Sequence, residues 1–132
     1  MQEVYDFLKK ANVYYLATVD GDKPKVRPFA TYLIYDGKFY IQTGKVKPVG
    51  KQVLANPNIE ICAFNGEEGT WIRIAAEAVE DPGAGVQEAL LNDYPQLKDR
   101  YAAGDGNMLV LQLKNATATF ENHGGVIKTV TF

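Results

Sequence analysis

Apolar residues recur at two distinct periods along the chain. In the first eleven residues Val4, Phe7, Leu8 and Ala11 return every three or four positions, which predicts an amphipathic helix over about Gln2–Ala11, ending near Asn12. The period then shortens. VYYLATV, Val13–Val19, is rich in β-branched and aromatic residues and runs into Asp20-Gly21, a tight-turn signal. A second strand follows over Lys25–Tyr35, and Asp36-Gly37 turns it into a third over Lys38–Gln42. Pro24 and Pro28 carry no N–H for a ladder, so the second strand should be irregular or lie at a sheet edge.

Next comes KFYIQTGKVKPVGKQVLANP, Lys38–Pro57, which reads as strand, loop and helix. Pro48 suits the first helical position and Asn56-Pro57 closes the helix, with Val49, Val53 and Leu54 toward the core. Strands are then expected at Ile59–Phe64 and, after the acidic loop 65–69, at Thr70–Glu80. A helix should open at Asp81-Pro82, with Val86, Ala89, Leu90 and Tyr94 along one face, and break at Pro95. Beyond the loop around Gly104-Asp105-Gly106, the pattern gives strands at Met108–Leu113 and Ala116–Glu121. Six or seven short antiparallel strands with helices between them describe a mainly β, α+β fold: a small closed or nearly closed barrel in one domain spanning 1–132.

Composition changes this picture only at a few points. The 132 residues carry net charge −2, with 46% hydrophobic and 23% charged positions, so the chain reads as an ordinary globular domain. No apolar run is long enough for a membrane helix, and the polar start is unlike a signal peptide, so a cytoplasmic protein is expected. Cys62, the lone cysteine, is expected as a buried, inert thiol. No histidine, cysteine or carboxylate cluster has metal-ligand spacing, and no Ser-His-Asp set is evident.

Charge is nonetheless uneven. Lys45, Lys47 and Lys51 crowd the start of the Pro48 helix, and no acidic residue occurs between Asp36 and Glu60. Lysines one helical turn apart repel each other by a few tenths of a kcal/mol. An anion at the helix N-terminus, where N–H groups are unpaired and the dipole is positive, reverses that sign, and phosphate is the natural guest.

YYLATVDGDKPKVRPF and YIQTGKVKPVGKQVLANPNIEI, taken with the helix–strand order around them, resemble the pyridoxamine 5′-phosphate oxidase-like FMN-binding split-barrel family, and the similarity covers nearly the whole chain. The resemblance implies a homodimer holding FMN between its subunits. It implies phosphate contacts from Arg27 of the Arg27-Pro28-Phe29 strand and from Lys47 and Lys51, with Thr43 as a further phosphate or ribityl contact. Gln42 and Gln52 are candidates for the ribityl chain or the flavin edge. Trp71 and Arg73, two apart on one strand face, are candidates for the region near the flavin; the same pair also suits a barrel rim, a dimer contact or an ion pair.

Two departures qualify the resemblance. True pyridoxamine phosphate oxidases end in a W-R-L-like segment that grips the substrate phosphate, whereas this chain ends HGGVIKTVTF, which counts against vitamin B6 oxidation. Nitroimidazole-resistance relatives carry a functional histidine in the first half, whereas the only histidine here is His123; some haem-degrading members use a C-terminal histidine as an iron ligand, but a lone histidine between Asn122 and Gly124 is more often a loop residue. The functions that compete are an FMN-dependent oxidoreductase acting on a small molecule, a non-catalytic flavin-binding or storage protein, and a small-barrel nucleic-acid binder. A sequence pI near 5.4 opposes the last.

Overall fold

The computed structural model describes all 132 residues. Helix α1 (Gln2–Ala11) precedes strands β1 (Tyr14–Asp20), β2 (Lys23–Phe29), β3 (Leu33–Tyr35) and β4 (Lys38–Gly44). Helix α2 (Pro48–Ala55) leads to β5 (Asn58–Asn65) and β6 (Thr70–Glu80), then α3 (Ala84–Asp93) and a 3₁₀ turn at Pro95–Asp99. The long strand β7 (Met108–Asn122) and β8 (Gly125–Thr131) complete the chain.

All the strands join one antiparallel sheet in the order β2-β1-β5-β6-β7-β4-β3, with β8 added on β7. The two ends of that path, β2 and β3, are consecutive in sequence and joined only by Ala30-Thr31-Tyr32, so the sheet rolls up and stays split where the chain crosses from one edge to the other. Thr31 extends the β3–β4 ladder there: its hydroxyl donates to the Gln42 carbonyl and accepts from the Gln42 N–H, both at 3.2 Å. This crossing replaces the single Lys25–Tyr35 strand expected from the sequence, while the edge position of the proline-bearing β2 agrees with it.

Strand alternation fills the interior. Tyr14, Leu16, Ile61, Ile72, Ile74, Leu109 and Leu111 point inward, and Val4 and Leu8 of α1 close one end. Each fully buried aliphatic side chain of this kind contributes about 1.5–3 kcal/mol. A second apolar cluster lies on the other face of β4, where Tyr40 and Val110 meet Val86, Leu90 and Leu97 of α3 and the 3₁₀ turn. β4 is therefore covered on both faces.

Five further expectations are revised. Leu54, expected toward the core, is exposed, because Val49, Gly50 and Val53 take the buried face of α2. The strands expected at Met108–Leu113 and Ala116–Glu121 are one strand, bent at Asn115, whose φ is 49°, opposite a register shift between Ala75 and Glu77. The C-terminal segment, for which no element is predicted, forms β8 and brings the count to eight. Asp81 does not open α3: its carboxylate caps the turn before the helix by accepting the Gly83 N–H at 3.0 Å and the Tyr40 hydroxyl at 2.8 Å. Cys62 is exposed rather than buried, because β5 alternates and Ile61 and Ala63 take the inward positions.

Candidate functional site

Helix α2 starts against the end of β4. Gly50 permits this approach, since a Cβ there would lie 2.2 Å from the Gly44 carbonyl oxygen. Lys47 is the N-cap residue with extended backbone, no side chain caps the helix, and its first turn carries no acid. A cation at the positive end of a helix is unfavourable unless an anion joins it. Lys45, the third lysine of the island, has one: it pairs with Glu80 at 2.9 Å. Lys47 and Lys51 have no carboxylate within ion-pair reach.

The fold separates those two lysines. Lys51 and Gln52 border an open hollow of about 530 Å³ between α2 and the β1–β2 turn, which also includes Asp20. Lys47 borders a hollow of about 310 Å³ on the other side, formed where the β2–β3 crossing meets the end of β4. Pro28, Phe29, Gln42 and Thr43 line this second hollow together with Ala30 and Thr31, so five of the residues singled out in the sequence converge there. Its remaining wall comes from Tyr94, Gln96, Leu97, Arg100 and Tyr101. No carboxylate lines it.

The walls of this hollow are held in place. Tyr94 fastens the α3 side to the crossing, its hydroxyl accepting the Tyr32 N–H at 3.0 Å and donating to the Tyr32 carbonyl at 2.8 Å; burial pushes its pKa up to about 12. Tyr101 packs on Gly44, where a Cβ would meet its hydroxyl at 2.8 Å. Gln42 is buried and donates from Nε2 to the Thr43 carbonyl at 2.8 Å, which fixes its amide on the floor.

Arg27 occupies a different place. Its side chain points to the inner face of β2, where its guanidinium donates to Thr18 Oγ1 (2.6 Å), Gln52 Oε1 (2.7 Å) and the Leu16 carbonyl (3.2 Å). Thr18 in turn donates to Gln52 Oε1 at 2.6 Å. Arg27 and Gln52 thus tie β2, β1 and α2 together. Burial lowers the arginine's pKa from its ordinary value, and no carboxylate stands against it.

Trp71 and Arg73 lie on the outer face of β6, apart from both hollows. Arg73 pairs with Glu60 of β5 at 2.8 Å, and Trp71 meets His123 edge-on with ring centroids 5.3 Å apart. The structure therefore groups Pro28, Phe29, Gln42, Thr43 and Lys47, sets Arg27, Lys51 and Gln52 across α2, and leaves Trp71 and Arg73 on the sheet exterior. Sequence reasoning missed Thr31, Tyr94 and Arg100. Nothing in their local pattern marks them: the β2–β3 crossing brings Thr31 against Gln42, and the packing of α3 and the 3₁₀ turn over β4 brings Tyr94 and Arg100. No helix in the fold is long and apolar enough to cross a membrane.

Comparison with known proteins agrees with this architecture. A NimC/NimA family protein from Clostridium acetobutylicum is 36% identical, with 100% of this chain and 93% of that chain covered and a TM-score of 0.92. General Stress Protein 26 from Bacillus anthracis shares the fold at 15% identity and TM-score 0.77, covering 99% and 97% of the two chains. A heme binding protein from Mycobacterium smegmatis does so at 18% identity and TM-score 0.72, over 95% of this chain and 55% of that one. Among curated proteins none matches. The sequence pattern of pyridoxamine 5′-phosphate oxidase matches residues 1–121, and the chain belongs to that family.

Proposed function

We propose that the protein is an FMN-binding flavoprotein that works as a homodimer, with the flavin phosphate at Lys47 and the adjoining cofactor in the hollow lined by Pro28, Phe29, Gln42 and Thr43. The observation that carries this reading is the charge of that hollow: cations without carboxylates, beside an uncapped helix N-terminus. A phosphomonoester brings close to two negative charges at neutral pH, which suits such a place. The buried polar floor of Gln42 and Thr43 offers fixed hydrogen-bonding groups beside apolar Phe29 and Leu97, the mixture an aromatic cofactor with a polar tail requires.

In this reading Lys47 binds the phosphate, Thr43 and Gln42 orient the cofactor, and the Arg27–Thr18–Gln52 network holds α2, and with it Lys47, in position. When bound, FMN supplies hydride chemistry, which needs no acid or base from the protein. An oxidoreductase acting on a small molecule follows; a flavin-storage protein is the alternative, with the same contacts and no turnover. Partner contact falls to the outer sheet face, where Tyr15, Val26 and Phe64 are exposed together beside Cys62, Trp71 and Arg73. His123 lines neither hollow and packs edge-on against Trp71.

Titration with FMN and riboflavin tests the assignment. FMN should bind much more tightly, and Lys47→Ala should weaken it by about 1.5–3 kcal/mol while leaving riboflavin nearly unchanged. Equal losses for both ligands would remove Lys47 from the phosphate. Oxidation of a reduced nicotinamide by the loaded protein would distinguish an enzyme from a store.

A further inference from the structure

The sequence motif supplies only one cation to the hollow, and the fold supplies another. Arg100 follows the 3₁₀ turn, at its C-cap, and its side chain lines the same hollow as Lys47. Like Lys47 it has no carboxylate within ion-pair reach, although the chain as a whole is net negative and its other two arginines are engaged, Arg27 by three hydrogen bonds and Arg73 by Glu60. The lining contains two cations and no acid, whereas the hollow across α2 holds Lys51 together with Asp20. The turn that carries Arg100 is anchored by buried Leu97 and Tyr101 and by the Tyr94 hydrogen bonds to Tyr32, so its backbone is held in place while the exposed arginine side chain is free to meet a ligand.

We propose that Arg100 is a ligand-binding residue that clamps an anionic group, phosphate or carboxylate, of an aromatic ligand from the side opposite the motif strand, and that it makes this hollow selective for anions. A planar guanidinium binds either group through two parallel hydrogen bonds, which adds orientation to charge. The anion belongs to the cofactor or to a small substrate beside it, and the proposal rests on the placement of the flavin above only in the first case.

The test compares wild type with Arg100→Gln and Arg100→Lys, using Lys98→Gln as an exposed control on the same turn. Circular dichroism checks that each variant is folded. In one arm FMN and riboflavin are titrated; in the other benzoate and its neutral counterpart benzamide are titrated by calorimetry, with and without flavin. A cofactor anion predicts about 10- to 100-fold weaker FMN binding in Arg100→Gln, with riboflavin unchanged and partial recovery in Arg100→Lys, as expected for a lost hydrogen bond between charged groups. A substrate anion predicts unchanged FMN, with benzoate preferred over benzamide by wild type and that preference lost in Arg100→Gln. If flavin binds to none of the proteins but the benzoate preference depends on Arg100, the anion clamp stands and the flavin assignment falls. Arg100→Gln that binds FMN, riboflavin, benzoate and benzamide as wild type does overturns the proposal.

Discussion

Gly50 shows how far a single residue controls the site. Any β-carbon there meets backbone, the Gly44 carbonyl at 2.2 Å, and backbone has no rotamer by which to yield. Gly50→Ala should therefore push α2 away from β4 and cost about 1–3 kcal/mol, measured by urea unfolding. Carboxylates act at the same scale. Asp105 accepts the backbone N–H groups of Met108, Ala102 and Asn107, and these bonds hold its pKa below the ordinary value. With the folded value below the unfolded one, near 4, the stabilisation is complete above the unfolded value and is lost as pH falls through the folded one. Asp105→Asn should accordingly flatten the acid limb of a thermal-stability profile below about pH 4. An unaltered slope would mean that the loop opens before the carboxylate is protonated.

Among the elements, β7 carries the most topology, pairing with β6, β4 and β8. Its bend at Asn115 lets the first half serve β4 and the second half serve β8. The residue adopts a left-handed conformation and donates from Nδ2 to Glu77 at 2.8 Å across the bulge. Asn tolerates that backbone and a β-branched residue does not. Asn115→Val should cost about 1–2 kcal/mol, and Asn115→Gly less, in chemical denaturation. Were valine as stable as glycine, the bend would be set by the sheet rather than by the residue. β8 belongs to the same scale: Phe132 just beyond it packs against Phe39 with centroids 5.7 Å apart and exchanges two backbone hydrogen bonds with Ala116, so this end of the chain is part of the fold.

At the scale of the whole molecule the outer face of β2, β1, β5 and β6 is the least accounted-for surface. Tyr15 is 53% exposed, Val26 67% and Phe64 59%, and the strand registers set Val26 and Phe64 each diagonal to Tyr15, on its two sides. Aromatic side chains grouped on one open sheet face suit the centre of a subunit interface. Phe64→Asp should turn the proposed dimer into a monomer in light scattering at micromolar concentration. It should leave the circular dichroism spectrum intact, since Phe64 takes no part in the core. A wild-type protein that is monomeric with FMN present would remove the interface.

What the sequence alone determined is what depends on near neighbours. Helix α1, strands β1, β5 and β6, the Asp-Gly turns, the Pro48 start of α2 and the edge character of β2 are encoded within a few residues of each other, and they appear in the fold where the pattern puts them. Lys47 with Gln42 and Thr43 was legible for the same reason, being one strand, one loop and one helix start. Tertiary structure decided whatever needs distant segments to meet. It paired Lys45 with Glu80, turned Arg27 inward onto Thr18 and Gln52, and placed Lys47 and Lys51 in different hollows, none of which four-residue spacing could reveal. The same holds for Arg100, whose neighbours across the hollow lie more than fifty residues away in sequence, and for β8, whose exposed side chains form no inward-facing stripe and which becomes a strand only because β7 offers it a free edge to pair with.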